Sequence, residues 1–300
     1  MWTKKNMPGQ TGKTVIVTGA NAGIGFETAL ALFEKGAHVV LACRDLKKAE
    51  EAIARMKERG DTGSLQAAQL DLADLVSIKE FTDWFIQHHQ RLDILINNAG
   101  VMIPPASKTQ DGFELQFGVN FIGHFALTGR LYAMLEATPG ARLVTVSSMA
   151  YVHGSIDFDN LRSERSYDAM REYSQSKLAD IMLALELDRR IKMKKGNVLS
   201  VAAQPGANKT ELSRYMTDDE YGAAVSRIGM LMDPWQGALP SLYAATAERV
   251  KGGEFYSPDA DGGYRGYPVR VELLPHALDE GVAKRLWELA EGATNVRFPA

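Results

Sequence analysis

Short runs of β-branched and apolar residues recur along this chain, each followed by a longer amphipathic stretch. That alternation commits the chain to repeated βαβ units around a parallel sheet. Residues 14–18 predict a first strand, 26–35 a helix stopped by Gly36, and 38–42 a second strand. Further helices are expected over 46–59, 75–89, 113–136 and 170–195, with strands over 65–70, 92–96, 142–147 and 198–203. The run 92–96 is nearly all apolar, as a strand covered on both faces should be. Downstream, 239–249 reads as a helix, 253–256 as a last strand and 282–291 as a terminal helix. The least regular stretches are 150–167 and 205–234, and loops that long in a compact domain usually frame a site.

Between the first strand and its helix lies Thr18-Gly19-Ala20-Asn21-Ala22-Gly23-Ile24-Gly25. Glycines there let backbone turn sharply and approach a phosphate, while the free amides at a helix start attract negative charge. The spacing departs from the general dinucleotide pattern Gly-x-Gly-x-x-Gly, and such a turn can also serve as a plain connection. Its strand-to-helix context favours Gly19, Asn21, Gly23, Ile24 and Gly25 as cofactor contacts. The expected fold is therefore α/β: one doubly wound Rossmann domain over 1–300, with a central parallel sheet of about seven strands flanked by helices. Residues 1–13 form an N-terminal extension, 205–234 a substrate loop and 261–300 a C-terminal extension.

The second strand ends Ala42-Cys43-Arg44-Asp45. A carboxylate at this place would suit the ribose hydroxyls of NAD, whereas a cation suits the 2′-phosphate of NADP. Arg44 can bind phosphate bidentately and Asp45 reads better as a helix cap, which favours NADP(H); a solvated surface arginine is the alternative. Asp71 and the adjoining Leu72, past the third strand, are placed to meet the adenine, although Asp71 can equally cap the following helix. Asn97-Asn98-Ala99-Gly100 follows the fourth strand, and Asn98, Ala99 and Gly100 would lie against a nicotinamide ribose, or form an ordinary turn.

Tyr173 and Lys177 stand four apart on a predicted helix and share one face. A phenol ordinarily loses its proton near pH 10, about 3 units or ~4 kcal/mol from neutrality. An ammonium roughly 4 Å away supplies about that much at an effective dielectric near 20. Tyr173 then reads as the acid or base, and Ser148, after the strand ending Val146-Ser147, as the hydroxyl that stabilises the substrate oxygen, with Ser147 second. Asn120 sits in the apolar run Gly118-Val119-Asn120-Phe121-Ile122 and needs a partner. A water chain from Lys177 and a local backbone carbonyl are both open.

Lysine and arginine total 34 against 37 acids, a net −3, which leaves no basic surplus for nucleic acid. One cysteine, Cys43, excludes an internal disulfide and a cysteine-rich zinc site, and suits a reducing compartment, the cytoplasm by default. The six histidines show no ligand spacing, so no metal is expected. No apolar run reaches the roughly 18 residues a spanning helix needs, and the first residues lack a signal core, so neither a membrane anchor nor export is expected.

The ordered set from Thr18 to Gly25, Asn97 to Gly100, Asn120, Ser148, Tyr173 with Lys177, and Pro205-Gly206 resembles the short-chain dehydrogenase/reductase superfamily over about residues 12–260. The resemblance implies Ser148, Tyr173 and Lys177 as a catalytic triad and Asn120 as its fourth member. It also implies that Lys177 holds the nicotinamide ribose, that Pro205 and Gly206 border the nicotinamide and that Thr210 meets its carboxamide. Within the superfamily, Ala42 to Asp45 and Ile156-Asp157-Phe158 look like the retinol dehydrogenase and protochlorophyllide reductase branch, which prefers NADP(H). The chain departs from the membrane-bound members in showing no amino-terminal anchor, and its one cysteine is not placed near the pocket.

The expected activity is hydride transfer between NADP(H) and a carbonyl or secondary alcohol. Met102, Met149, Tyr167, Tyr215 and Met216 suggest an apolar small molecule as substrate. Rival readings are a non-catalytic NADP(H) sensor and a reductase of activated C=C bonds. The two long helices at 113–136 and 170–195 offer faces for a homodimer.

Overall fold

The structure, a computed structural model, describes every residue except Asp61 and Ala300. Strands β1 (Thr14–Thr18), β2 (His38–Cys43), β3 (Ser64–Gln69), β4 (Ile94–Asn97), β5 (Arg142–Val146), β6 (Leu199–Ala203), β7 (Phe255–Ala260) and β8 (Arg265–Arg270) form one sheet in the order β3-β2-β1-β4-β5-β6-β7-β8. All neighbours are parallel except β7 and β8. The chain order reverses where β1 lies between β2 and β4, and in open α/β sheets a ligand crevice opens at such a point.

Successive residues of a strand face opposite sides, and here each side is a separate core. Ile16, Leu95, Leu143 and Ala202 pack into one layer with Phe81, Phe117, Phe125 and Leu183. Val15, Val17, Ile94, Ile96, Val144 and Val201 pack into the other with Leu30, Phe33, Met56 and Leu242. The covering helices are α1 (Gly23–Glu34), α2 (Leu46–Lys57), α3 (Leu75–His88), the single turn α4 (Leu115–Phe117), α5 (His124–Ala137), α6 (Ala169–Met193), α7 (Asp218–Ile228), α8 (Pro234–Thr246) and α9 (Glu280–Thr294).

Three expectations are corrected. The helix read over 113–136 is interrupted: α4 passes into a π-helical stretch, Gly118–Gly123, before α5 begins. The wider turn is possible because its two glycines permit close approach. A Cβ on Gly123 would lie 2.5 Å from the Leu72 carbonyl oxygen, and one on Gly118 would strike the Thr109 methyl. Phe113, Phe117, Phe121 and Phe125 stack in succession along this segment, at 6.3, 5.2 and 6.2 Å.

The second correction concerns 205–234, read as irregular, which contains α7, started by a capping box between Thr217 and Glu220. The third is the strand count, eight instead of about seven, because the stretch 261–300 supplies β8. This antiparallel edge strand carries Pro268 directly opposite Pro258 of β7. Proline removes a ladder donor and is tolerated at such an edge.

The C-terminal stretch also packs against α5 and α6. Trp287 of α9, Phe125 of α5 and Phe298 form a three-ring cluster with centroids 4.7 to 5.0 Å apart, and Arg190 of α6 lies 4.4 Å over the Trp287 ring. Among the described residues no helix is long and apolar enough to cross a membrane.

The glycines of the π-helical stretch and of α9 should respond oppositely to a methyl group. Gly123→Ala is expected to cost about 1–3 kcal/mol in urea unfolding, since a backbone carbonyl blocks the new atom. Gly292→Ala, in open space within α9, should instead stabilise by roughly 0.5–1 kcal/mol.

Candidate active site

The carboxyl ends of β1, β4, β5 and β6 all open on one edge of the sheet, and the turns that leave them carry the residues singled out above. At β1 the chain enters the glycine turn, where Gly19 and Gly23 adopt φ of 65° and 56°. A Cβ at Gly19 would lie 3.0 Å from Ala99, one at Gly23 3.3 Å from the Thr210 methyl, and one at Gly25 2.5 Å from Asn98 Nδ2. Two separately identified segments, Asn97 to Gly100 and Pro205 to Thr210, thus converge on this turn. The residue capping α1 is Ala22, which has no side chain able to satisfy the first amides, so these donors stay available for an anion. A backbone cradle too close for side chains, at an uncapped helix start, fits the pyrophosphate of a dinucleotide.

Around this cradle several of the residues singled out above make local bonds. Asp45 accepts from Lys48 N and caps α2, leaving Arg44 exposed at the end of β2. Asp71 Oδ1 accepts from Ala73 N in a local turn, while Asp74 caps α3. Asn98 is held to β1, its backbone N–H donating to Thr18 Oγ and its side-chain amide to Thr18 O. Pro205 to Thr210 is backed by parts of the chain that sequence reasoning left loose. Ala207 N donates to Tyr264 O, Lys209 N to Met232 O, and a Cβ on Gly206 would lie 2.5 Å from Tyr264 O. Cys43, read as standing away from the pocket, packs beneath the turn. Burial pushes its thiol up to about 11, although the Ala20 and Asn21 amides face it.

On the substrate side, α6 is pinned to the end of β5. Ser147 Oγ donates to Lys177 O at 2.7 Å, and Lys177 Nζ donates to Val146 O at 3.0 Å. Ser147 is buried and its hydroxyl is committed, so Ser148, half-buried at the start of the following 3-10 turn, is the hydroxyl at the cleft. Its Oγ accepts only a 3.2 Å bond from Ala150 N, which leaves its proton to donate. The Lys177 ammonium lies 5.9 Å from the centroid of the Tyr173 ring, and both residues are about 4% exposed. Tyr167 is no substitute: its hydroxyl donates to Pro104 O, and burial raises it to about 12.

Asn120 is bonded to protein groups, the Val101 backbone among them. Its Oδ1 accepts from Val101 N, and its Nδ2 donates to Val101 O and to Ser176 Oγ, which itself donates to Tyr173 O. The amide therefore ties the π-helical stretch to the loop after β4 and to α6. Its main-chain oxygen accepts from His124 Nδ1 at 2.8 Å. Since that oxygen has no proton, Nδ1 is the donor and Nε2 accepts from Thr18 Oγ at 2.9 Å. Sequence reasoning missed His124, although it stands one helical turn beyond Asn120, and missed Asp180, three residues beyond Lys177 and bonded to its Nζ at 2.9 Å.

His124 is wholly buried, and desolvation lowers it to about 3. The unfolded imidazole takes a proton near pH 6.5. Acidification through that window therefore favours the unfolded chain, by up to ~1.4 kcal/mol per pH unit. Urea unfolding from pH 7 to 4 should show this loss, and His124→Gln should flatten the slope by about one proton.

Comparison with known proteins agrees with this geometry. The short chain dehydrogenase family model matches residues 13–221. Mouse retinol dehydrogenase 14 is 40% identical over 93% of this chain and 85% of its own length, and human retinol dehydrogenase 13 is 42% identical over 96% and 86%. The crystal structure of an uncharacterized Mycobacterium paratuberculosis protein, 37% identical, superposes with a TM-score of 0.83 over 100% of this chain and 99% of that one. Pseudomonas aeruginosa RhlG, solved as an NADP active-site complex, shares the fold at 23% identity, with a TM-score of 0.67 over 85% of this chain and 97% of that one. An uncapped glycine turn at the sheet's switch point, with a tyrosine and lysine on the helix clasped to the end of β5, thus belongs to a chain of the short-chain dehydrogenase/reductase family, in its retinol dehydrogenase-like branch.

Proposed function

We propose that this protein transfers a hydride between NADP(H) and the carbonyl or secondary alcohol of an apolar small molecule, acting in a reducing compartment such as the cytoplasm. The observation that carries the reading is the Tyr173 ring with the Lys177 ammonium 5.9 Å from its centroid, on a helix locked to the end of β5, two residues before Ser148. When bound, the cofactor supplies or accepts the hydride. In reduction, Tyr173 donates its phenolic proton to the substrate oxygen as charge develops there, and Ser148 donates a hydrogen bond to the same oxygen. Lys177 favours the negative charge left on the phenol and would help hold the nicotinamide ribose. Asn120 keeps α6 and the loop after β4 in register, so its role is to position the others.

Gly19, Asn21, Gly23, Ile24 and Gly25 would hold the pyrophosphate, with Asp71 and Leu72 on the adenine side. Asn98, Ala99 and Gly100 would hold the nicotinamide ribose, and Pro205, Gly206 and Thr210 the nicotinamide. Preference for the 2′-phosphate rests on Arg44, exposed where Asp45 is already spent as a cap. The apolar character of the substrate rests on Met102, Met149 and Met216, which are half-buried around the cleft's loops, with Tyr167 and Tyr215 beside them.

The test is turnover of NADPH with aliphatic and aromatic aldehydes and ketones. Tyr173→Phe should lower kcat by about 10²–10⁴-fold while NADPH still binds. Arg44→Ala should weaken NADPH by about tenfold or more and NADH little. Binding without turnover on every carbonyl would overturn the enzymatic reading, and equal losses for the two cofactors would overturn the NADP(H) preference.

A further inference from the structure

Lys177 shares its buried site with a carboxylate that the reaction above does not use. Asp180 is 1% exposed, and its Oδ2 accepts from Lys177 Nζ at 2.9 Å. Its other oxygen, Oδ1, is buried with no hydrogen-bond partner among the described residues. An unpaired carboxylate oxygen in a site this dry is costly, so a purely structural purpose would be served better by a neutral side chain of the same shape.

Among the described residues no further charged group acts on this pair. Along α6 the neighbours are Lys177 and Tyr173. β5 contributes the Val146 carbonyl and the Ser147 hydroxyl, and α5 contributes His124, which burial keeps neutral. Burial pushes Asp180 up to about 7 against the pull of Lys177. For Lys177, burial lowers while Asp180 and Tyr173 raise, and the balance holds the ammonium above its ordinary value. The ammonium that faces Tyr173 is thus matched by a negative charge on Asp180 once the pH rises above about 7.

The consequence follows from charge balance. With the Asp180 carboxylate, the buried group of phenol, ammonium and carboxylate is neutral, and losing a proton leaves a net buried negative charge. With a neutral residue at 180 the phenol and ammonium carry +1, and losing a proton neutralises them, which burial favours. Resting on the oxidoreductase reading, we propose that Asp180 is a positioning residue that acts through Lys177: once ionised, it raises the pH at which Tyr173 gives up its proton. It thereby poises Tyr173 as the proton donor for carbonyl reduction instead of the base for alcohol oxidation.

The test needs neither cofactor nor substrate. Tyrosinate absorbance is titrated in cofactor-free protein, and the Tyr173→Phe spectrum made in the same background is subtracted to isolate Tyr173. In Asp180→Asn and in Asp180→Ala, two neutral residues of different shape, the onset of ionisation should move to lower pH by about one unit. Circular dichroism confirms that each variant is folded, and either one suffices for the reading. Where NADPH-linked reduction is measurable, its alkaline fall-off should move down by the same amount. An onset that stays in place or moves up in the folded neutral variants overturns the assignment. Absence of turnover in the wild type, with the onset shifted as expected, would remove the oxidoreductase reading and leave the charge relation between Asp180 and Lys177 standing.

Discussion

The bond from Ser147 to the Lys177 carbonyl and the return bond from Lys177 to the Val146 carbonyl hold α6 against the end of β5. Everything chemical in the cleft depends on that clasp. An α-helix buried on most of its faces must find a partner for each polar group it carries inward, and α6 buries Tyr173, Ser174, Gln175, Ser176, Lys177 and Asp180 within two turns. Ser176 is satisfied by Tyr173 O and Asn120, and Gln175 by Glu172 and the Asp157 amide. The reactive pair is therefore held by a network that, Asp180 Oδ1 aside, pairs its members, and its geometry exists before any ligand arrives.

A second set of bonds joins that clasp to the phosphate cradle. Thr18 takes the amides of Asn98 and Ala99 and meets His124, which in turn donates to the Asn120 main chain. The glycine turn, the loop after β4 and the π-helical stretch are thus one connected piece. An uncharged imidazole is needed for this, because a cation there would face the Lys177 ammonium in a dry interior.

The sheet, the glycine turn and the Tyr173–Lys177 pair were legible because each is written in local chemistry. β-branched runs, glycine where backbone must pack on Ala99, and a spacing of four on one helix face carry their meaning without the rest of the molecule. The π-helical stretch was not legible, since Gly118–Gly123 has the apolar composition of an ordinary helix and its extra residue per turn is decided by contacts with Leu72 and Thr109. Nor was β8, whose Gly266 and Pro268 argue against a strand until β7 is beside it. The start of α7 was written plainly, as Thr217 followed three residues later by Glu220, and was passed over because the stretch around it is rich in polar residues. Asp180 and His124 stand at helical spacings from Lys177 and Asn120. What hid them is that a lone acid or histidine on a helix shows its burial only in three dimensions.

Facing prolines close the last pair of strands. Pro258 and Pro268 sit opposite each other where β7 meets β8, and arginines stand at both ends of β8. The outermost strand of a sheet is an invitation to any extended chain nearby, and missing donors with flanking cations weaken that invitation. The β8 edge is thereby a poor template for a second copy of this chain to extend the sheet.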